Sequence, residues 1–228
     1  MDHFKLYAML HPEAFRRVEQ VKGSGNRFVH YTSAYVATQI LEKKEIWMRS
    51  ATVMNDWREI EYGLDCVFHV MGEGVLEGDA LKKAIDGVHA GAWDEAGNLF
   101  DKWLPMFRYN TYMTCVSEHQ GGHEDNLGRL SMWRAYGGDA GVAIVLKPEP
   151  FFAQSTAGII SSPVSYFTPE QVKAQTAFIA STLEGNQEAI RNTFKREDFV
   201  GHIWHMLRFS VLCTKHPGFQ EELEWRVI

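Results

Sequence analysis

The sequence predicts an α+β protein with a mixed, largely antiparallel split sheet and long helical insertions. Short runs rich in β-branched and aromatic residues stand far apart, at 27–31, 45–49, 110–117, 142–146, 159–167, 209–214 and 222–228. Long segments with helical signals separate them, above all about 72–108 and 169–206. Their order is not the strict strand–helix–strand alternation of a doubly wound sheet.

Residues 3–21 read as a helix that Gly23-Ser24-Gly25 ends, and this helix (1–25) leads into a single domain spanning 1–228. Thr32 or Ser33 caps the next helix, which runs to about Lys44 with Val36, Ile40 and Leu41 on one face. A loop follows from Ser50 to Trp57, then a helix over 58–71, and glycines at 72, 74 and 78 open the helical insertion. Glu118 to Gly128 is polar and Gly-rich and reads as a surface loop. A short helix follows at Leu130–Tyr136, and 137–141 turns into a strand. Thr168-Pro169-Glu170-Gln171 is a helix start, with a capping Thr, Pro in the first turn and Gln three residues on.

Of the 228 residues, 45% are hydrophobic and 13% aromatic, enough for a large core or a stacking pocket. A net charge of −6 argues against broad electrostatic binding to nucleic acid. Cys66, Cys115 and Cys213 form no CxxC and read as free thiols of a reducing compartment. No signal peptide and no run of membrane-spanning length is visible, so a cytoplasmic, non-membrane protein is expected. No GxSxG, Walker A or GxGxxG motif occurs, which disfavours hydrolase, P-loop and Rossmann classes.

Four polar-aromatic clusters stand at element ends: His30-Tyr31-Thr32-Ser33, Asn55-Asp56-Trp57-Arg58-Glu59, Met132-Trp133-Arg134-Ala135-Tyr136 and Glu222-Leu223-Glu224-Trp225-Arg226. In a strand, Glu222 and Glu224 share one face and Leu223 and Trp225 the other. Two adjacent carboxylates repel, so one should titrate high. Taken alone, such a pair is more often a solvated edge. His30 and Thr32, on one face, can hydrogen-bond a ribose. A backbone-bonded His and a capping Thr explain them equally well. Asn55-Asp56 reads as a turn, or as part of an acid cluster for metal. Trp133 and Tyr136 share a helix face, for core packing or for stacking on a ring. His119/His123 and His202/His205 lack a metal-site pattern.

Together, HYTS, NDxxE, Ser117-Glu118, WxxY with Gly141 and ExEWR resemble an uncharacterised family of bacterial and phage proteins of unknown function, matched in order along nearly the whole chain. One departure is Trp57, where that family usually has Pro. A more distant resemblance is to ADP-ribosyltransferases of the DNA-modifying toxin type, which share a strand ending in His-x-Thr, a following helix and a late Glu. That resemblance implies an ADP-ribosyltransferase-like split sheet and NAD as cofactor. His30 and Thr32 would hold the NAD, and Tyr31, Trp47, Trp133 or Tyr136 would flank its rings. Arg49 would meet the pyrophosphate or nicotinamide side, and Asn55 and Asp56 would line the loop. Glu224 would be catalytic, with Glu222 beside it to deprotonate the acceptor. The acceptor would be a nucleic acid or a protein. Such an enzyme would act as a toxin or phage-conflict effector, with an antitoxin as a possible partner. Two alternatives stand beside it. One is a metal-dependent nuclease or phosphodiesterase using Asp56, Glu59, Glu222 and Glu224. The other is a non-catalytic nucleotide- or protein-binding module.

Overall fold

The computed structural model describes residues 1–51, 57–153 and 158–228. The expected Asn55-Asp56 turn lies outside them. Helix and antiparallel strand intermingle as the sequence predicts. The first helical stretch is two helices, α1 (His3–Leu10) and α2 (Pro12–Ser24), divided at His11-Pro12. Proline has no N–H to continue a helix but suits the first turn of the next. Gly25, in the left-handed region at φ 70°, ends α2. Strand β1 (Arg27–Ser33) leads into α3 (Ala34–Lys43), whose cap is Ser33.

Strand β2 is only Arg49–Ser50, shorter than 45–49 suggests, and α4 (Trp57–Met71) follows. The insertion contains α5 (Leu76–Val88), α6 (Ala92–Trp103) and α7 (Phe107–Asn110). Strand β3 (Tyr112–His119) extends two residues into the expected loop, whose remainder holds α8 (His123–Leu127). Then come α9 (Leu130–Tyr136), β4 (Gly141–Leu146), β5 (Ser161–Pro163) and β6 (Ser165–Tyr166). Helix α10 (Pro169–Glu184) begins with the expected capping box. It is followed by α11 (Gln187–Arg191) and α12 (Arg196–Leu212), then β7 (Thr214–Lys215) and β8 (Glu224–Val227).

The sequence reading is wrong at 209–214, where α12 persists to Leu212. Its apolar run Phe209–Cys213 is buried because the helix end sits deep in the helical core, not because it is a strand. A short apolar run does not separate these two states.

The main sheet runs β4-β1-β3-β8-β5, with β2 also on β3, and every pair in it is antiparallel. On one face Phe28, Val116 and Trp225 pack with Val18 and Val21 of α2. On the other, Val29, Tyr31 and Ala143 pack against Met132 and Trp133 of α9. The largest core is helical, formed by α4, α5, α6, α10 and α12 with α1. No helix among the described residues is long and apolar enough to cross a membrane.

The junction of α1 and α12 makes the fold acid-sensitive. Burial, with His205 and His202 nearby, lowers the His11 pKa to about 3. Burial, then Arg208 and His202, lowers His205 to about 4. Both rings are therefore neutral in the fold, while the unfolded chain protonates them near 6.5. Their stabilising effect is complete above 6.5 and is lost as pH falls from there toward about 4. Each should remove about 1.4 kcal/mol per pH unit in that window. Urea unfolding at pH 7.5 and 5.5 should show this drop, and His11→Phe should flatten it.

Candidate functional site

Glu222 and Glu224 do meet, though not as neighbours on one strand face. Glu222 ends a 3-10 turn (Pro217–Glu222), Leu223 takes a left-handed backbone at φ 44°, and β8 begins only at Glu224. A branched residue at positive φ is uncommon and is held by its surroundings. Here the Leu223 carbonyl accepts from the Glu118 N–H at 2.8 Å. The Glu222 carbonyl accepts from the Ser117 hydroxyl at 2.6 Å and from Arg129 Nη1 at 2.8 Å.

The two carboxylates converge on Lys215. Its ammonium donates to Glu222 Oε2 at 2.7 Å and to Glu224 Oε2 at 2.9 Å, and lies 4.8 Å from the centre of the Phe219 ring. Arg226 Nε donates to Glu224 Oε1 at 2.8 Å, and its Nη1 donates to the Leu212 carbonyl. Lys215, Glu224 and Arg226 are all buried. Glu224 has both oxygens engaged and its backbone N–H on the Tyr166 hydroxyl.

The surroundings push the two acids apart. Burial alone would raise Glu224, but the charges of Arg226 and Lys215 and their hydrogen bonds outweigh it and hold the carboxyl at about 2. For Glu222 burial wins over Lys215 and the group is raised, with the Glu224 charge adding to it. One acid of the pair titrates high, as expected, although burial exceeds mutual repulsion as the cause. Tyr136 and Tyr166 lie in the same field: burial, then these carboxylates, raise both phenols. The Cys115 thiol hydrogen-bonds the Glu224 carboxylate and is itself pushed well up by burial.

His30 reaches this group from the other side of β3. The β1–β3 ladder stops at Val29 opposite Ser117. Beyond that point His30 Nδ1 lies 3.1 Å from the Cys115 carbonyl, in the place where a continuing ladder would bring a backbone N–H. Donation from Nδ1 leaves Nε2 as the acceptor nitrogen. Burial and the Arg49 charge lower the His30 pKa, against the carbonyl bond. Strand alternation sets His30 and Thr32 on the Phe28–Trp225 face and Glu224 on the opposite one. The two ends of the expected site therefore meet through Cys115 and not across one face.

Tyr31 and Trp133 are built into the scaffold. The Tyr31 hydroxyl bonds His119 Nε2 at 2.8 Å and accepts from the Arg129 N–H at 2.7 Å. Trp133 meets Tyr31 edge-on at 4.8 Å and donates its indole N–H to the Leu127 carbonyl. Trp47 is largely exposed, with the Lys43 ammonium 5.6 Å from its ring centre. Arg49 stands on short β2, opposite Met113.

Sequence reasoning missed Lys215 and Arg129. Lys215 precedes Glu222 by seven residues across a short turn, and a lysine placed there was the available signal. Arg129 gave none. It ends the Gly-rich stretch and becomes a hub, donating to Ser117 Oγ, to the carbonyls of Glu118 and Glu222, and to the Glu124 carboxylate.

All of the acid site from Tyr136 onward falls in one region recognised by comparison. Residues 132–227 match the model of a family described as Protein of unknown function (DUF2971). The DUF2971 stretch takes in Tyr136, Lys215, Glu222, Glu224 and Arg226, and leaves His30, Arg49 and Arg129 outside. No curated protein and no solved structure matches the chain.

Proposed function

We propose that the chain is an NAD-dependent enzyme of ADP-ribosyltransferase type, acting where β3 carries Cys115 between His30 and the acid pair. The observation that carries this reading is the split between two carboxylates on one ammonium. Paired acids whose surroundings drive their pKa values apart are the mark of divided acid–base roles. Glu224 stays ionised and fixes Lys215, while Glu222, with Oε1 unpartnered among the described residues, is the acid able to meet a substrate. A carboxylate there stabilises the positive charge that develops on a ribosyl carbon as nicotinamide leaves. A raised pKa also suits it to accept the acceptor's proton. Tyr136, half-exposed beside both acids, is the ring that can stack on the leaving base.

The metal-dependent reading is weaker. The Lys215 ammonium occupies the position between the two acids where a cation would sit.

Nicotinamide release from NAD, followed by chromatography, tests the proposal. Glu222→Gln should reduce release at least about a hundredfold with the fold retained, consistent with loss of an acid–base group. Wild-type protein that neither binds NAD in a calorimeter nor releases nicotinamide, alone or with candidate acceptors, would sink it.

A further inference from the structure

We infer that β4 is an interface strand at which two copies of this chain pair antiparallel, joining their sheets. It is the terminal strand of the main sheet, paired with β1 over six positions from Ser33–Gly141 to Phe28–Leu146. The Ala34 N–H donates to the Ala140 carbonyl in the same register, so the even-numbered residues 140, 142, 144 and 146 turn their backbone groups toward β1. Gly141, Ala143 and Val145 turn theirs outward, and no described residue hydrogen-bonds them.

The strand reads Gly-Val-Ala-Ile-Val-Leu, with no charge, no proline and no bulge, and Val145 is half-exposed. Natural edge strands are usually blunted by such devices, because an unprotected edge recruits another strand. Here the charges stand at the two ends of the strand: Asp139 before it and Lys147 after it, both exposed.

These charges select the occupant. A two-fold axis through Ala143 sets Ala143 against Ala143 of the second copy and Gly141 against its Val145. The same axis sets Asp139 against Lys147 at both ends. Gly141, Ala143 and Val145 are outward-facing strand positions, so their pairs can exchange backbone hydrogen bonds, while Asp139 in the turn before β4 and Lys147 just after it bring opposite charges together at each end. Opposite charges directly across a strand pair are favourable and like charges are not. The arrangement is closed and self-complementary, as a two-fold dimer requires.

Sedimentation analysis over a range of protein concentrations tests this. The wild-type chain should form a dimer. Ala143→Pro removes only an outward N–H, which an edge strand tolerates, so it should give a monomer with unchanged far-ultraviolet circular dichroism. Asp139→Lys should weaken the dimer about tenfold or more, since it places like charges across both ends of the pairing. Asp139→Lys combined with Lys147→Asp should restore it. A monomer at every concentration overturns the inference. So does a dimer that Ala143→Pro leaves intact, or one that the double exchange fails to restore.

Discussion

Replacing Glu118 by Gln should destabilise the fold by about 3–5 kcal/mol, the range for breaking a buried ion pair from one side. Glu118 is 2% exposed and tethers α2 to the sheet. Arg17 Nη2 donates to its Oε2 at 2.6 Å, Asn26 Nδ2 to its Oε1 at 2.8 Å, and the Trp225 indole N–H to Oε2 at 3.3 Å. The amide of Gln can still accept from Asn26 or Trp225, but it carries no charge. Arg17, itself buried, is left as a cation without its counter-ion. The melting temperature should fall by about 10 °C for a chain of this length. The argument depends on the stranded charge, so removing that charge should help. Arg17→Met added to Glu118→Gln should recover most of the loss in urea unfolding, because an apolar replacement of the pair costs little. If the double variant is as unstable as the sum of the singles, the stranded-charge account fails and lost packing around α2 is responsible.

This contact shows where the sequence was legible and where it was not. Ser117-Glu118 was visible as part of the family pattern, but Glu118 reads from the sequence as the start of a surface loop, whereas it lies within β3 and is buried. Its partner Arg17 is 101 residues away, on the face of α2 that also carries Ala14 and Val21, and no local signal pairs the two. Local signals worked where local chemistry decides: the Thr168 capping box and the Leu130–Tyr136 helix formed, and the strand expected at 110–117 formed two residues further on, at Tyr112–His119. They failed at Phe209–Cys213, where depth in the helical core, and not period, sets the hydrophobicity. The acid pair was visible as two carboxylates, and their proximity followed. The geometry that brings them together was not visible, because it depends on Leu223 adopting a backbone that branched residues avoid and on Lys215 arriving from another strand. His30 illustrates the same limit. Its place on a strand was clear, although the strand runs on to Ser33 and His30 is not at its end, and only the point at which β1 and β3 part determines that its ring meets a β3 carbonyl.

Lys215→Met should be nearly as damaging as the loss of Glu118, and its effect should depend on pH in a direction that the acid pair dictates. The ammonium is 1% exposed and bridges the two carboxylates. Methionine keeps most of its length and none of its charge. Glu224 retains Arg226, but Glu222 loses its hydrogen-bonded cation and keeps only the weaker influence of Arg226 against its burial, and the two acids then repel with no ammonium between them. A loss of about 3–5 kcal/mol at pH 7 is expected. The sign follows from Glu222. Its pKa in the fold is already raised and should rise further in the variant. An acid with a raised folded pKa takes up its proton in the native state first, so falling pH relieves the penalty. Between pH 7 and 5 the gap between variant and wild type should therefore narrow, even though both lose stability through His11 and His205. Glu224 does not reverse this. Its stabilising effect persists above about 4.5 and fades only as pH falls toward about 2. Glu222→Gln placed in the Lys215→Met background should recover stability at pH 7 by removing the repulsion directly. Urea unfolding at the two pH values measures both effects. A gap that stays constant from pH 7 to 5, with no recovery from Glu222→Gln, would mean that Lys215 acts by packing against Phe219 and not by holding the two acids together.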